Sequence, residues 1–281
     1  MSINSKNKVS AAWLTALLCL LSVIFLAPVF IILINSFKSK LYIMGTPFTL
    51  PNPDTFVGFQ NYVNGVKSSD LILSFGRSVF ITVFSVFAII FLTSMTAWFI
   101  VRVNNAFTKI IYYAFVFSMI VPFQMVMFTM TYTVNVLRFN NPVGIIPVYL
   151  GFGSGLSVFM MTGFLRSVPM DLEEAAMIDG CTGPQIFFRI VFPIMKPTLI
   201  TVAILNAMWI WNDYLLPYLI LGSTNKTMPV AIQLAMQGAY GSVDWGGFMA
   251  MLVLAIIPIV IFYLFGQKYI IKGVMAGAVK G

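Results

Sequence analysis

Apolar positions gather into six long runs, near residues 12–36, 78–101, 110–136, 143–165, 198–222 and 247–271, and most charges fall between them. Each run is long enough to cross about 30 Å of hydrocarbon at about 1.5 Å per residue. The pattern predicts an all-α integral membrane protein of six transmembrane helices, organised as a single membrane domain over 1–281. The first run is too long for a signal-peptide core and lacks a small-x-small cleavage pattern, so it is expected to stay as a span. An even number of spans places both ends on one side. The loop 37–77 is too polar to cross, and Pro47, Pro51 and Pro53 break any long helix there; a short surface helix is expected near 59–66.

Two runs carry local irregularities. In the third, Pro122 and Gln124 predict a kinked, partly polar face, and Met119, Met125, Met127 and Met130 are expected to be adaptable core rather than a metal pathway, since no His or Cys joins them. In the fourth, Gly151 and Gly155 form a small-xxx-small pair suited to close helix approach.

The stretch 166–197 interrupts the fourth and fifth runs. Asp171, Glu173, Glu174 and Asp179 make up half of the 8 acidic residues of the chain. Asp171 and Glu174 have capping-box spacing, which starts a helix through Leu172, Ala175, Ala176 and Ile178, and Gly180 stands where a left-handed terminal residue is wanted. Thr182 and Gln185 form a second capping box around Pro184. Ile186, Phe187, Ile190 and Val191 then recur as one apolar stripe, with Pro193 expected to end the helix. A helix-turn-helix outside the bilayer follows. An amphipathic helix can lie on a membrane, but four acids disfavour an anionic leaflet and favour a docking partner.

Composition narrows the class. At 60% hydrophobic and 9% charged residues, the chain is not an ordinary soluble domain. The net charge of +8 comes from Lys and Arg at the ends of apolar runs, so it reads as topology rather than a nucleic-acid surface. With both ends inside, Lys6, Lys8, Arg102, Lys109, Arg166, Arg189, Lys196, Lys268, Lys272 and Lys280 are cytoplasmic, against Lys38, Lys40, Lys67, Arg77, Arg138 and Lys226 outside. That distribution favours cytoplasmic termini. Cys19 and Cys181 fall in different environments and there is no His, so neither a disulfide framework, a metal site nor a His-dependent catalytic group is expected. No GxxxxGK[ST] loop is present, and energy has to come from a partner.

The fifth run is unusually polar, with Asn206, Trp209, Asn212, Asp213 and Tyr214 inside it. Asp213 would cost about 2.5–3.5 kcal/mol at mid-bilayer, so it faces protein or water. Asn206, Trp209 and Asp213 share one helical face, and rings beside amides and a carboxylate suit a sugar. Two readings stand: a candidate substrate path, or an aromatic belt with Asp213 bonded to a neighbouring helix.

The spacing Glu174-Ala175-Ala176, Gly180, Ile190-x-Phe192-Pro193 resembles the EAA signature of permease subunits in binding-protein-dependent ABC importers. Phe192 stands where the family usually has Leu, and Cys181 where Ala is frequent; both are apolar. The segments FVGFQNY, WNDYLLPYLIL and QKYIIKGVMAGAVKG, with the loop 226–245, are similar to the maltose-system type of carbohydrate permease. The resemblance implies a type I ABC importer fold in a bacterial or archaeal cytoplasmic membrane. It implies a sugar or oligosaccharide cargo, a second homologous permease subunit, an extracytoplasmic solute-binding protein and a cytoplasmic ATPase dimer that carries ATP and Mg, with no cofactor on this chain. ATPase coupling would fall to Asp171, Glu173, Glu174, Ala175, Ala176, Asp179, Gly180, Ile190 and Pro193. The loop 226–245 would reach the binding protein, and the tail 273–281 the ATPase pair. A polyol or glycerol phosphate importer is the alternative on the same scaffold; a standalone secondary transporter would need an inverted repeat or proton relay, and the sequence shows neither.

Overall fold

The computed structural model describes the backbone of residues 3–237 and 243–278 and the side chains of 12–236 and 243–267. Regular structure among these residues is helical, apart from an isolated antiparallel bridge between Lys38 and Phe56. The helices are α1 (Ile3–Ser36), α2 (Lys40–Ile43), α3 (Gln60–Ser68), α4 (Leu71–Val103), α5 (Ala106–Ile120), α6 (Phe123–Val136), α7 (Ile145–Leu165), α8 (Asp171–Ile178), α9 (Gly183–Ile194), α10 (Lys196–Asn212), α11 (Leu215–Leu221), α12 (Met228–Gln237) and α13 (Trp245–Ala278). Four of them are long and apolar enough to cross a membrane, or up to 6 spans if each bent pair counts as one.

The chain divides into two units, 1–71 with 232–257, and 72–231 with 258–281. In the first unit the short helix expected near 59–66 is α3, and Asn61 holds it to the end of α1 by donating to the Ser36 and Lys38 carbonyls, both at 2.8 Å. Tyr62 meets Ser36 Oγ at 2.7 Å. A Cβ on Gly65 would meet the Gly247 carbonyl at 2.9 Å, so α3 and the start of α13 touch through backbone. Lys38 is buried and donates to the Thr46 carbonyl at 2.7 Å.

In the second unit α7 is central. Tyr149, Val158, Met161 and Leu165 are fully buried, which suits a helix hydrophobic on all sides. Gly155 takes the close approach expected of it, with a Cβ there meeting the Phe115 carbonyl of α5 at 2.8 Å, but Gly151 faces open space. The other tight glycine is Gly153, whose Cβ would meet Asn206 Oδ1 at 2.7 Å.

The runs differ from straight crossings in three places. α4 begins at Leu71 rather than near Ser78. The third run is two helices bent by 105° at Val121 and Pro122. Pro122 lacks the N–H a continuous helix needs and forces Val121 into extended backbone, at ψ 115. The fifth run stops at Asp213, which is also extended (ψ 124), and resumes as α11.

Candidate functional site

The hairpin α8–α9 starts one residue earlier than its sequence spacing suggests. Met170 is already helical, and its carbonyl accepts from the N–H of Glu173 at 2.8 Å and of Glu174 at 3.1 Å. Asp171 is therefore inside the first turn, and the Asp171–Glu174 capping box does not form; its carboxylate remains exposed near the positive end of the helix dipole. At the other end Cys181 N–H donates to the Ala176 carbonyl (2.9 Å) and Gly180 N–H to Met177 (3.0 Å), with Gly180 at φ +82. This is the Schellman arrangement, and Ala176 and Cys181 pack in the same apolar cluster as it requires. Thr182 N–H donates to Gln185 Oε1 at 2.8 Å, so the second capping pair does form.

Pro193 does not end α9. Residues Phe187–Val191 form a π-helical turn, with Phe192 N–H donating to the Phe187 carbonyl, and the helix continues to Ile194 before a 74° bend into α10. Proline removes one donor and needs room at the carbonyl four residues back; the wider turn supplies it.

Two faces of the hairpin differ sharply. Inward, Ala176, Ile186, Phe187, Val191 and Met195 join Ala97 of α4, Met161 and Leu165 of α7, and Leu199 and Val202 of α10. Glu173 also points inward and is only 3% exposed. It forms an ion pair with Arg102 Nη2 at 2.6 Å and accepts from Arg102 Nε at 2.7 Å and Trp98 Nε1 at 2.8 Å. Arg102 Nη2 reaches the Val168 carbonyl as well, at 3.3 Å. Arg102, read from sequence as a topological anchor, is a clamp between α4 and the hairpin, and Trp98 completes it. Outward, Asp171, Leu172, Glu174, Ala175, Met177, Ile178 and Asp179 are exposed, Ile178 to 86%. Ile190 is half-buried on the inner cluster and Pro193 is exposed. The nine coupling candidates thus divide: Glu173, Ala176 and Ile190 fix the hairpin, Gly180 turns it, and the others face away from the cluster.

The polar group of the fifth run packs against one face of α7. Asn206 is buried and donates to Ser157 Oγ at 3.2 Å and to the Val202 carbonyl at 2.9 Å. Trp209 lies edge-on to Tyr149, ring centroids 5.5 Å apart, and is 40% exposed. Asp213 Oδ2 accepts from the Tyr149 hydroxyl at 3.0 Å, while its Oδ1 accepts from the N–H of Leu215 (3.1 Å) and Leu216 (3.4 Å). Asp213 therefore caps α11 and ties it to α7. Asn212 is exposed and donates to the Met208 carbonyl at 2.7 Å; Tyr214 stacks on Tyr218 at 5.3 Å. Sequence reasoning missed Tyr149, although a phenol inside an apolar run signals a hydroxyl in want of a partner.

In the loop 226–245, Met228 N–H donates to Ser78 Oγ at 2.8 Å, and 238–242 lie outside the described residues. The side chains of the tail 273–281 lie outside them too. Among the described residues no group of three His, Cys, Asp or Glu could hold a metal ion.

Similarity to known proteins agrees with this architecture. One chain of the crystal structure of a bacterial ABC transporter involved in the import of the acidic polysaccharide alginate shares the fold at TM-score 0.80, with 21% identity over 96% of this chain and 99% of that chain. The probable starch degradation products transport system permease protein AmyC of Thermoanaerobacterium thermosulfurigenes is 39% identical over 95% of this chain and 96% of its own length. The multiple sugar-binding transport system permease protein MsmG of Streptococcus mutans is 34% identical over 98% of this chain and 99% of its own. Residues 89–275 match the family described as binding-protein-dependent transport system inner membrane component. With a type I permease fold, membrane-crossing helices and a clamped hairpin between α7 and α10, the chain belongs to that family and is a membrane transport subunit, not an enzyme.

Proposed function

We propose that this chain is the permease subunit of an ATP-driven importer of sugars or oligosaccharides, acting as one membrane domain with both termini cytoplasmic. Its partners are a second homologous permease, a cytoplasmic ATPase dimer holding ATP and Mg, and an extracytoplasmic solute-binding protein. One observation carries the reading: the hairpin is locked to α4, α7 and α10 through Glu173 and its inner cluster, while Leu172, Glu174, Ala175, Met177, Ile178 and Asp179 are left uncovered. An exposed apolar tip rimmed by carboxylates suits a protein partner. Movement of that partner passes to the membrane helices because the clamp resists slippage. The sugar class is supported by similarity to AmyC and MsmG, permease proteins of a starch degradation products transport system and a multiple sugar-binding transport system. In a deletion strain, uptake of a radiolabelled malto-oligosaccharide should be restored by this chain only together with its partner subunits. Restoration of glycerol phosphate uptake alone would replace the sugar reading.

Orientation is checked by labelling. In a Cys-free background, Lys6→Cys and Ala278→Cys should react only from the cytoplasmic side, and Lys226→Cys only from outside. The opposite pattern would remove the ATPase from the hairpin's side.

For the cargo path the geometry supports a division of labour. Trp209 offers the partly open ring to a sugar; Tyr149, Asn206 and Asp213 hold it, and Asn212 and Tyr214 flank it. Trp209→Ala should reduce initial uptake several-fold while the ATPase and second permease still copurify. Asp213→Ala, which removes a helix cap worth about 0.5–2 kcal/mol as well as the Tyr149 bond, should lower assembly and uptake together. Normal uptake by Trp209→Ala would remove the path from this helix.

A further inference from the structure

At the boundary where α4 ends, α5 begins and α7 ends, a cavity of about 340 Å³ is lined by Ile100, Val101, Asn104, Thr108, Lys109, Tyr112, Tyr113 and Arg166. That is at the small end of the roughly 300–1,000 Å³ of ligand pockets. Neither Lys109 nor Arg166 has a carboxylate partner among the described residues; Arg166 lies over the Tyr112 ring, 5.1 Å from its centroid. Glu173 of α8 is taken up by Arg102 and Trp98. Thr108 is spent on the α5 cap with Asn105. What remains is a recess with two cations, two phenols and the Asn104 amide.

Its rim is apolar. Val103, Ile110, Tyr113 and Phe117 are all exposed, and the last three recur at i, i+3 and i+7 along one face of α5. A free anion has no use for such a stripe, whereas a lipid needs both parts. Basic pockets between helix ends are where anionic headgroups bind, and tyrosines sit at headgroup depth.

We infer that this cavity binds the phosphodiester headgroup of an anionic phospholipid through Lys109 and Arg166, with an acyl chain along Ile110, Tyr113 and Phe117. The site does not depend on the transport assignment or on the orientation of the termini. Because Arg166 is the last residue before the hairpin connection, an occupied site braces α7 where the hairpin leaves it.

The test is retention of lipid by the purified transport complex. Dioleoyl-phosphatidylglycerol and dioleoyl-phosphatidylcholine are added in equal amounts and bound lipid is read by native mass spectrometry. The unmodified protein should prefer the anionic lipid. Each basic residue near an anionic lipid contributes about fivefold, so Lys109→Gln should cut the preference about fivefold and Lys109→Gln/Arg166→Gln about 25-fold. Lys40→Gln, an exposed cation far along the chain, should leave it unchanged. The Lys109 side chain has no hydrogen-bond or ion-pair partner among the described residues, so its single variant carries the test if the double variant fails to fold. Equal retention of both lipids, or an undiminished preference in Lys109→Gln, overturns the inference. Displacement of the lipid by equimolar inorganic phosphate assigns the site to a free anion and overturns it as well. Protection of Lys109 from amine labelling by a partner polypeptide in delipidated complex does the same.

Discussion

Arg102→Ala and Glu173→Ala should each reduce coupled uptake more than tenfold and lower the thermal midpoint of the detergent-purified chain. The two residues lie 71 positions apart and meet in a site that leaves Glu173 only 3% exposed. Removing one partner of a buried pair leaves the other charge uncompensated, at about 3–5 kcal/mol of stability. In Arg102→Ala the Glu173 carboxylate keeps only the Trp98 N–H; in Glu173→Ala the guanidinium keeps only the Val168 carbonyl. The double variant Arg102→Met/Glu173→Met removes both charges and costs less than either single change, because what loses its partner is neutral, the Trp98 N–H and the Val168 carbonyl, at about 1–3 kcal/mol for a buried group. Stability therefore recovers partly in the double variant while uptake does not, since the hairpin is then held by apolar packing that can slide. Additive losses in the two singles and the double would show that the pair does not act as a clamp.

That clamp marks the boundary of what local sequence could reveal. The Gly180 turn, the Thr182–Gln185 cap and the break at Pro122 are written within a few residues of where they act, through backbone sterics and missing donors. The direction of Glu173 is not: the acidic cluster identifies a polar helix, but an eight-residue helix places Asp171, Glu173 and Glu174 on different sides of its axis, and only a partner on α4 decides which one turns in. Arg102 served the charge tally equally well as a membrane anchor, so nothing in its neighbourhood pointed to Glu173. Asp213 is an intermediate case. An aspartate just before an apolar turn containing Pro217 is a helix-start signal, but reading 198–222 as one span hid it. Pro193 was legible as a disruption; that the chain absorbs it by a π turn rather than by stopping depends on Phe187 and Val191 being buried on the inner cluster.

Gly180→Val should abolish coupled uptake while insertion and side-specific labelling of the chain stay unchanged. Gly180 sits at φ +82, and beyond its two chain neighbours no described heavy atom lies within 4 Å of where its Cβ would be, so the substitution acts through the backbone. An ordinary L-residue in the left-handed region costs about 1–2 kcal/mol and a β-branched one more, whereas Asn visits it readily. The graded series is the measurement: Gly180→Asn near normal uptake, Gly180→Ala reduced several-fold, Gly180→Val without uptake. A helix that cannot close on Gly180 loses the Cys181 to Ala176 bond that orients α9 against α8. It then unwinds its last turn and carries Met177, Ile178 and Asp179 away from the position set by the Glu173 clamp. ATP hydrolysis by the assembled complex should persist in Gly180→Val without solute stimulation, because the partner still docks but no longer pulls on α7 and α10. Normal uptake by Gly180→Val, or equal loss across all three variants, would show that the turn does not set the coupling geometry.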